Sequence, residues 1–261
     1  MKKLLILFSI CTMAVSAAFS QDDTYYTGDE ATVTVKAQVA PPALPEYVQP
    51  PCPADGYIWT PGYWAWGTTG YYWVPGVWVM PPSIGLLWTP GYWGWYSGYY
   101  GWHHGYWGDH IGYYGGVNYG FGYYGTGFYG GRWEGGHFMY NTAVWHVGGG
   151  IHNTYVNREG IHENVGVRFS FNGPNGVHYR PAAHEEAAIR ESNHVERTRE
   201  QVGHEQGMAN ERGQFHNPNS RPAVHSMSQP GGQRFDERGH AAPSHGGGGH
   251  SGGGHGGGGR R

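Results

Sequence analysis

Cysteine is almost absent from this chain, and its scarcity excludes a fold held together by disulfide bonds. Only Cys11 and Cys52 occur among 261 residues, and Cys11 lies in an N-terminal segment that we expect to be removed. A single remaining thiol cannot form an internal disulfide. Cys52 stands among prolines, so we interpret it as an idle thiol, and pairing with another molecule stays an open alternative.

Long apolar runs are also missing, and the one short run lies at the N-terminus. Lys2 and Lys3 precede an apolar segment at 4–15, and a small-residue pattern follows at 18–20. This arrangement is typical of a secretory signal peptide over residues 1–20. Because later segments contain no stretch of about 20 apolar residues, no transmembrane helix is expected in the mature chain. We therefore predict export to the periplasm, the outer cell envelope or the medium.

Aliphatic side chains are too few to build an ordinary core, since the chain has 48 Gly and 17 Pro and a mean hydropathy of −0.58. The apolar mass is aromatic instead, with 12 Trp, 21 Tyr and 9 Phe, and every Trp lies between Trp59 and Trp145. Aromatic residues favour strands. We predict a mainly β fold, with a small module of aromatic and Gly-rich hairpin repeats in this part of the chain.

A fourfold internal repeat of the form Trp-x-Pro-Gly-x-Trp is the most informative feature of the chain. The first Trp of each copy recurs at spacings of 14, 15 and 14 residues, and the second Trp keeps the same spacings. The fourth copy has His104 where the others have proline, so its turn is expected to be less fixed. The tryptophans of the four copies are Trp59, Trp64, Trp73, Trp78, Trp88, Trp93, Trp102 and Trp107.

Each copy is interpreted as a tight hairpin centred on Pro-Gly. Proline suits the second position of a type II turn and glycine suits the third, where the backbone takes a positive φ. In such a hairpin the two tryptophans of one copy lie opposite each other, as Trp59 and Trp64 would in the first copy. Because type II turns match strand twist less well than primed turns, a broader loop stays an alternative.

The rest of the chain differs in composition before and after the repeats. The Pro-rich region before the repeats favours extended chain with little tertiary structure, and the Gly-rich C-terminal part favours disorder. The predicted organisation is a signal peptide (1–20), a Pro-rich linker (21–56), the aromatic β module (57–147), a short strand and turn extension (148–181), a polar helix (182–205) and a disordered His- and Gly-rich tail (206–261).

The eight repeat tryptophans have two interpretations. Exposed rings would form a flat binding surface for a glycan or another polymer of the cell envelope. Buried rings would instead be the core of an aliphatic-poor β structure, and we favour this interpretation for most of them. Nucleic acid is not expected as a partner, because the arginines are concentrated after residue 150, away from the aromatic repeats.

The His-rich C-terminal tract is the candidate metal site of the chain. His245, His250 and His255 are five residues apart, and neutral imidazoles bind Zn²⁺, Ni²⁺ or Cu²⁺. The glycines between them impose no geometry, so adventitious binding is expected and no cofactor is predicted. The sequence contains no nucleophile elbow, zinc-protease motif or phosphate-binding loop, and we expect a non-enzymatic protein.

The repeats resemble those of the bacterial YXWGXW proteins, whose motif is also written WXXGXW. The resemblance rests on Tyr57, Trp59, Gly62 and Trp64 with their equivalents in later copies, and it continues through the Gly-rich stretch at 114–138. It implies an exported protein of a Gram-negative bacterium and carries no catalytic residue over to this chain.

Three functional hypotheses follow from these features. The leading hypothesis is an exported interaction or structural protein of the envelope, whose unknown ligand is a glycan or another envelope component. One alternative is a metal-binding envelope protein that uses the His-rich tail. The other is a matrix protein that associates with itself through open strand edges.

Overall fold

The structure is a computed structural model that describes residues 26, 28–161, 168–210 and 222–242, so the predicted signal peptide lies outside the described residues. Strands account for 33% and helices for 11%, which confirms the predicted mainly β class. A 3₁₀ turn at Glu30–Thr32 precedes the first strand. The strands and helices are β1 (Val33–Ala37), β2 (Ile58–Thr60), β3 (Tyr63–Gly67), β4 (Gly70–Val74), β5 (Val77–Val79), β6 (Leu87–Thr89), β7 (Tyr92–Tyr96), β8 (Tyr99–His103), β9 (Tyr106–Gly108), β10 (Asn118–Gly120), β11 (Tyr123–Tyr124), β12 (Gly131–Glu134), β13 (His137–Asn141), β14 (Thr154–Tyr155), β15 (Phe171–Asn172), α1 (Ala183–Ile189), α2 (Arg199–Ala209), β16 (Ser226–Met227) and β17 (Arg234–Phe235).

The four repeats pair two by two into two long hairpins instead of folding into four short ones. In the first long hairpin (58–79), β2 pairs with β5 and β3 pairs with β4. In the second long hairpin (87–108), β6 pairs with β9 and β7 pairs with β8. The chain reverses at 68–69 and at 97–98, so the Pro-Gly steps lie midway along the arms and bend them.

The tryptophan pairs therefore differ from the prediction. Trp59 lies opposite Trp78 and Trp64 lies opposite Trp73, with ring centroids 5.4 Å and 5.3 Å apart. The prediction of a type II turn within each copy is wrong, because the glycines of the repeats do not have a positive φ. Each Trp pairs with one from the other copy of its hairpin. In the second long hairpin the pairs are Trp88 with Trp107 and Trp93 with Trp102.

Close approach of the two arms requires the glycine of each repeat. A methyl group on Gly62 would lie 2.3 Å from the ring of Trp73 and 2.9 Å from the backbone nitrogen of Gly76. A methyl group on Gly76 would lie 2.5 Å from the ring of Trp59. The first Trp of each copy thus covers the glycine of the paired copy. This contact explains why the first Trp and the Gly have the same spacing in every copy. The equivalent contacts in the second long hairpin are Trp102 on Gly91 and Trp88 on Gly105.

The segment before the repeats packs onto the bend of the first long hairpin. The hydroxyl of Tyr47 accepts a hydrogen bond from the N–H of Gly62 at 3.2 Å, and Leu44 is buried nearby in the same core. At 33–37, β1 forms the edge of the sheet β1-β8-β7-β15. These contacts correct the prediction of a linker with little tertiary structure over 21–56. A bend interrupts the strand ladder, and buried backbone groups there need partners that this segment supplies.

The C-terminal part of the described chain completes the same bend from the other side. The imidazole Nε2–H of His204 donates to the carbonyl of Pro75 at 2.8 Å, and the N–H of Met227 donates to the carbonyl of Gly76 at 2.9 Å. Residues 222–242 fall within the predicted disordered tail, yet they form the β16–β17 hairpin. The prediction is corrected for this stretch, because the hairpin satisfies backbone groups that the bend leaves buried.

Two helices replace the single helix predicted at 182–205. The chain leaves α1 after Ile189 and runs extended, and Val195 exchanges backbone hydrogen bonds of 2.8 Å with Trp107 of β9. Thr198 and Gln201 then form a capping box that begins α2. Within the described ranges, no helix has the length and apolarity needed to cross a membrane.

The Tyr-Gly segments after the repeats cover the bends of both long hairpins. The hydroxyl of Tyr119 donates to the carbonyl of Gly91 at 2.6 Å, and the hydroxyl of Tyr123 donates to the carbonyl of Trp59 at 3.2 Å. Near the end of the predicted β module, β13 pairs with β12 and β14. These hydroxyl groups satisfy backbone carbonyls that strand pairing leaves over.

Candidate functional site

A cleft of about 620 Å³ opens beside the bend of the second long hairpin, and this volume is typical of small-ligand pockets. We call it the bend cleft. Its walls come from the N-terminal turn and β1, from the bend itself, and from the connection between α1 and α2. Its aromatic lining consists of Tyr26, Tyr92, Tyr106 and Tyr113. Its polar lining includes Asp29, Thr32, Thr34, His104, Glu196 and Arg197.

His103 anchors the N-terminal turn to the second long hairpin. Thr32 donates its hydroxyl hydrogen to the carbonyl of Asp29 at 2.8 Å, so its oxygen accepts the Nδ1–H of His103 at 2.7 Å. The Nε2 of His103 then accepts from the hydroxyl of Tyr96 at 2.5 Å, and the ring stacks on Tyr92. Both ring nitrogens are occupied in this neutral tautomer. Burial lowers the pKa of His103 to about 4.

His104 stands at the position that proline occupies in the other three copies. Its Nδ1 accepts a hydrogen bond from the indole Nε1–H of Trp102 at 3.0 Å, and the ring lines the bend cleft. Burial, with a smaller contribution from the guanidinium of Arg197, lowers the pKa of His104 to about 4. The imidazole is therefore neutral at physiological pH and bears its hydrogen on Nε2.

Arg197 is held in an ion pair at the edge of the bend cleft. Its guanidinium bonds the carboxylate of Glu205, and the hydroxyl of Tyr63 donates to the same carboxylate at 2.6 Å. Burial, followed by the charge of Glu205, raises the pKa of Tyr63 well above its usual value. The positive charge of Arg197 is therefore largely compensated within the protein.

The eight repeat tryptophans, predicted as a candidate binding surface, are all buried. They are between 0% and 7% exposed, and the favoured interpretation of them as core agrees with this packing. Six of their indole N–H groups also donate within the protein; for example, Trp93 donates to the carbonyl of Trp64 at 2.9 Å and Trp78 donates to that of Pro50 at 2.8 Å. In this structure a planar ligand has no free face of these rings on which to stack.

His104 also lines a second cavity, which lies between the bends of the two long hairpins. Its volume of about 30 Å³ leaves room for one or two water molecules. Trp88 and Trp102 line this cavity, but a sugar or a peptide does not fit beside them. The bend cleft is therefore the better candidate for a ligand site.

The lone thiol does not line the bend cleft, and the predicted metal site is not among the described residues. His245, His250 and His255 lie outside the described residues, and among the residues that are described no group of three or more His, Cys, Asp or Glu could hold a metal ion. Cys52 is buried, and burial raises the pKa of its thiol to about 12. A partner molecule does not reach this sulfur in the folded chain, which argues against an intermolecular disulfide.

Most residues of the bend cleft could not be identified from the sequence, because they come from three distant segments. Thr32 and Arg197 lie in regions predicted as a linker and a helix, and nothing in the sequence places them together. One signal was present, since the fourth copy departs from the repeat at His103 and His104. From sequence alone this departure predicts a less fixed turn, whereas the structure places it at the cleft.

The fold and the bend cleft define a mainly β protein of paired aromatic repeats. Comparison with protein families matches residues 55–79 to the WXXGXW repeat, in two copies. The chain is a WXXGXW repeat-containing protein. The matched span coincides with the first long hairpin, so two copies make one structural unit. Neither a curated protein nor a solved structure matches the chain.

Proposed function

We propose that this chain is an exported, non-enzymatic protein of the Gram-negative cell envelope that binds an envelope glycan in the bend cleft. The observation that carries the proposal is a cleft of about 620 Å³ that combines tyrosine rings with side chains that donate and accept hydrogen bonds. The repeats act as the scaffold of this site, because their tryptophans form the core.

The lining of the bend cleft supports a sugar as the ligand. Sugars present an apolar face that stacks on aromatic rings and a rim of hydroxyl groups that need donors and acceptors. Tyr106 offers a ring already held in place, since it stacks on His194 with centroids 3.9 Å apart. Thr34, Glu196 and Asp29 add hydroxyl and carboxylate oxygens around it.

Two features of the sequence support an envelope location. Residues 1–20 have the pattern of a secretory signal peptide. The WXXGXW resemblance implies exported proteins of Gram-negative bacteria. The expected absence of enzymatic activity rests on the sequence, which contains no nucleophile elbow, zinc-protease motif or phosphate-binding loop.

Cosedimentation of the mature chain with peptidoglycan sacculi from a Gram-negative bacterium tests this proposal. The wild-type chain is expected to bind in a saturable manner. Thr34 is exposed and lines the bend cleft, so a Thr34→Trp variant fills the site with a bulky ring. We expect its affinity for sacculi to fall about tenfold or more, because the ring occupies the volume that the ligand needs.

Thr69→Trp is the matched control for this experiment. Thr69 is an exposed threonine in the turn of the first long hairpin, and it does not line the bend cleft. This variant is expected to bind sacculi like the wild type. Equal binding by the wild type and the Thr34→Trp variant, or no binding by either, would refute the proposed function.

A further inference from the structure

The replacement of proline by histidine in the fourth copy places a hydrogen-bond donor in the bend cleft. Copies 1, 2 and 3 have Pro61, Pro75 and Pro90 at this position, and proline has no polar side chain. His104 lines the cleft and adds an imidazole at this position. One of the four copies therefore has a polar side chain at this position of the repeat.

The orientation of this donor is determined by the core. The indole Nε1–H of Trp102 can only donate, so Nδ1 of His104 is the acceptor of their 3.0 Å hydrogen bond. A neutral imidazole with a lone pair on Nδ1 has its hydrogen on Nε2. Trp102 is itself buried in the repeat core, which restricts the rotation of the imidazole.

The Nε2–H group is available to a ligand. Among the residues that the structure describes, no hydrogen-bond partner is found for Nε2 of His104. The atom is also not among the unpartnered polar atoms that are sealed from solvent. A donor in a cleft with neither a protein partner nor complete burial is suited to an acceptor that arrives with a ligand.

The charges around the bend cleft favour an uncharged acceptor. Asp29 and Glu196 place two carboxylates in its lining. Arg197, a cation of the same lining, already binds Glu205, so it offers little attraction to a second anion. An anionic sugar would meet like charges across short distances, whereas a hydroxyl or amide oxygen would not.

We propose that His104 orients a neutral saccharide in the bend cleft by donating its Nε2–H to a hydroxyl or acetamido carbonyl oxygen, and that the site discriminates against anionic saccharides. This inference rests on the proposed glycan-binding function and specifies the ligand class. His104 is a binding residue in this proposal, and Trp102 is a positioning residue that maintains its tautomer.

Calorimetric titration of the mature chain with defined oligosaccharides tests the inference. The neutral probes are N-acetylchitohexaose and cellohexaose, and the anionic probe is hexagalacturonate. At least one neutral probe is expected to bind, and hexagalacturonate is expected to bind about tenfold more weakly or not at all. Equal affinity for neutral and anionic probes overturns the inference, and so does binding of sacculi without binding of either neutral probe.

Two substitutions of His104 separate the donor from the fold. His104→Pro restores the residue of the other three copies and removes the donor, whereas His104→Gln retains an N–H donor. We expect His104→Pro to bind the neutral probe about five- to tenfold more weakly, which is typical of one lost neutral hydrogen bond. We expect His104→Gln to remain closer to the wild type. Unchanged affinity in His104→Pro contradicts the inference while leaving the proposed function intact.

Nitrogen NMR of the wild-type imidazole provides a readout that does not depend on the variants folding. The Nε2–H signal of His104 is expected to shift when the neutral probe is added. A bound probe that leaves this signal unchanged overturns the inference. Failure of the wild-type chain to bind sacculi at all would instead remove the proposed function, and the inference with it.

Discussion

Replacing Gly62 with alanine is expected to destabilise the folded chain by about 3 kcal/mol or more, because the added methyl group meets both a ring and a backbone. It would lie 2.3 Å from the ring of Trp73 and 2.9 Å from the backbone nitrogen of Gly76. The ring is fully buried and the backbone belongs to the opposite arm, so neither moves cheaply. Thermal unfolding followed by circular dichroism is expected to show a melting temperature about 6–12 °C lower.

Gly149→Ala is the control for this substitution. Gly149 does not have a positive φ, and a methyl group there would meet no atom within 4 Å. Its melting temperature is expected to stay near that of the wild type. A Gly62→Ala chain that is as stable as this control would show that the two arms do not cross where the structure places them.

Acid is expected to destabilise the chain through its two adjacent histidines at the second bend. Burial lowers the pKa of both His103 and His104 to about 4, whereas an unfolded histidine titrates near 6.5. The unfolded chain therefore binds more protons between these values, and stability that is complete above pH 6.5 is lost as the pH falls towards 4. Between pH 7.5 and pH 5, the loss is expected to reach about 2 kcal/mol for His103, and less for the partly exposed His104, whose charge solvent screens in part.

Urea unfolding at pH 7.5 and pH 5, followed by tryptophan fluorescence, measures this loss. The repeat supplies its own control, since the second copy has Val74 and Pro75 where the fourth copy has the two histidines. The double variant His103→Val with His104→Pro is expected to lose much less stability over the same pH interval. A wild-type chain with equal stability at both pH values would contradict the burial of these imidazoles.

The mainly β class was predictable from sequence, because the repeats consist of aromatic residues that favour strands. The pairing was not predictable, since a repeat of 14 or 15 residues allows each Pro-Gly step to be either a reversal or a bend. The contact of Trp73 with Gly62 in the paired copy decides between them. Because this contact joins two copies, the sequence of one copy does not reveal it. Local turn propensity predicted the wrong partner for Trp59.

Composition predicts too little tertiary structure for the segments that flank the repeats. Tyr47 in the Pro-rich segment and Met227 in the tail lie among residues that rarely build a core, and both are buried against the first bend. They are ordered because a bend in a buried ladder leaves backbone groups that need partners. Such a need depends on the three-dimensional fold, so no local property of these segments reveals it.

The bend cleft was only partly foreseeable. The substitution of proline by His104 in an otherwise regular repeat marked the fourth copy as different. Its significance depends on Arg197 and Thr32, which reach the same place through the connection between α1 and α2 and through the N-terminal turn. A departure from an internal repeat is therefore a useful indicator of a site, even when the remaining lining cannot be predicted.

The two long hairpins require that the repeats pair across copies, and nuclear Overhauser contacts between assigned indole rings detect this pairing. Single Trp→Phe variants assign the signals of Trp59, Trp64 and Trp78. We expect contacts between Trp59 and Trp78, whose ring centroids lie 5.4 Å apart. Contacts between Trp59 and Trp64, with none between Trp59 and Trp78, would contradict the two long hairpins.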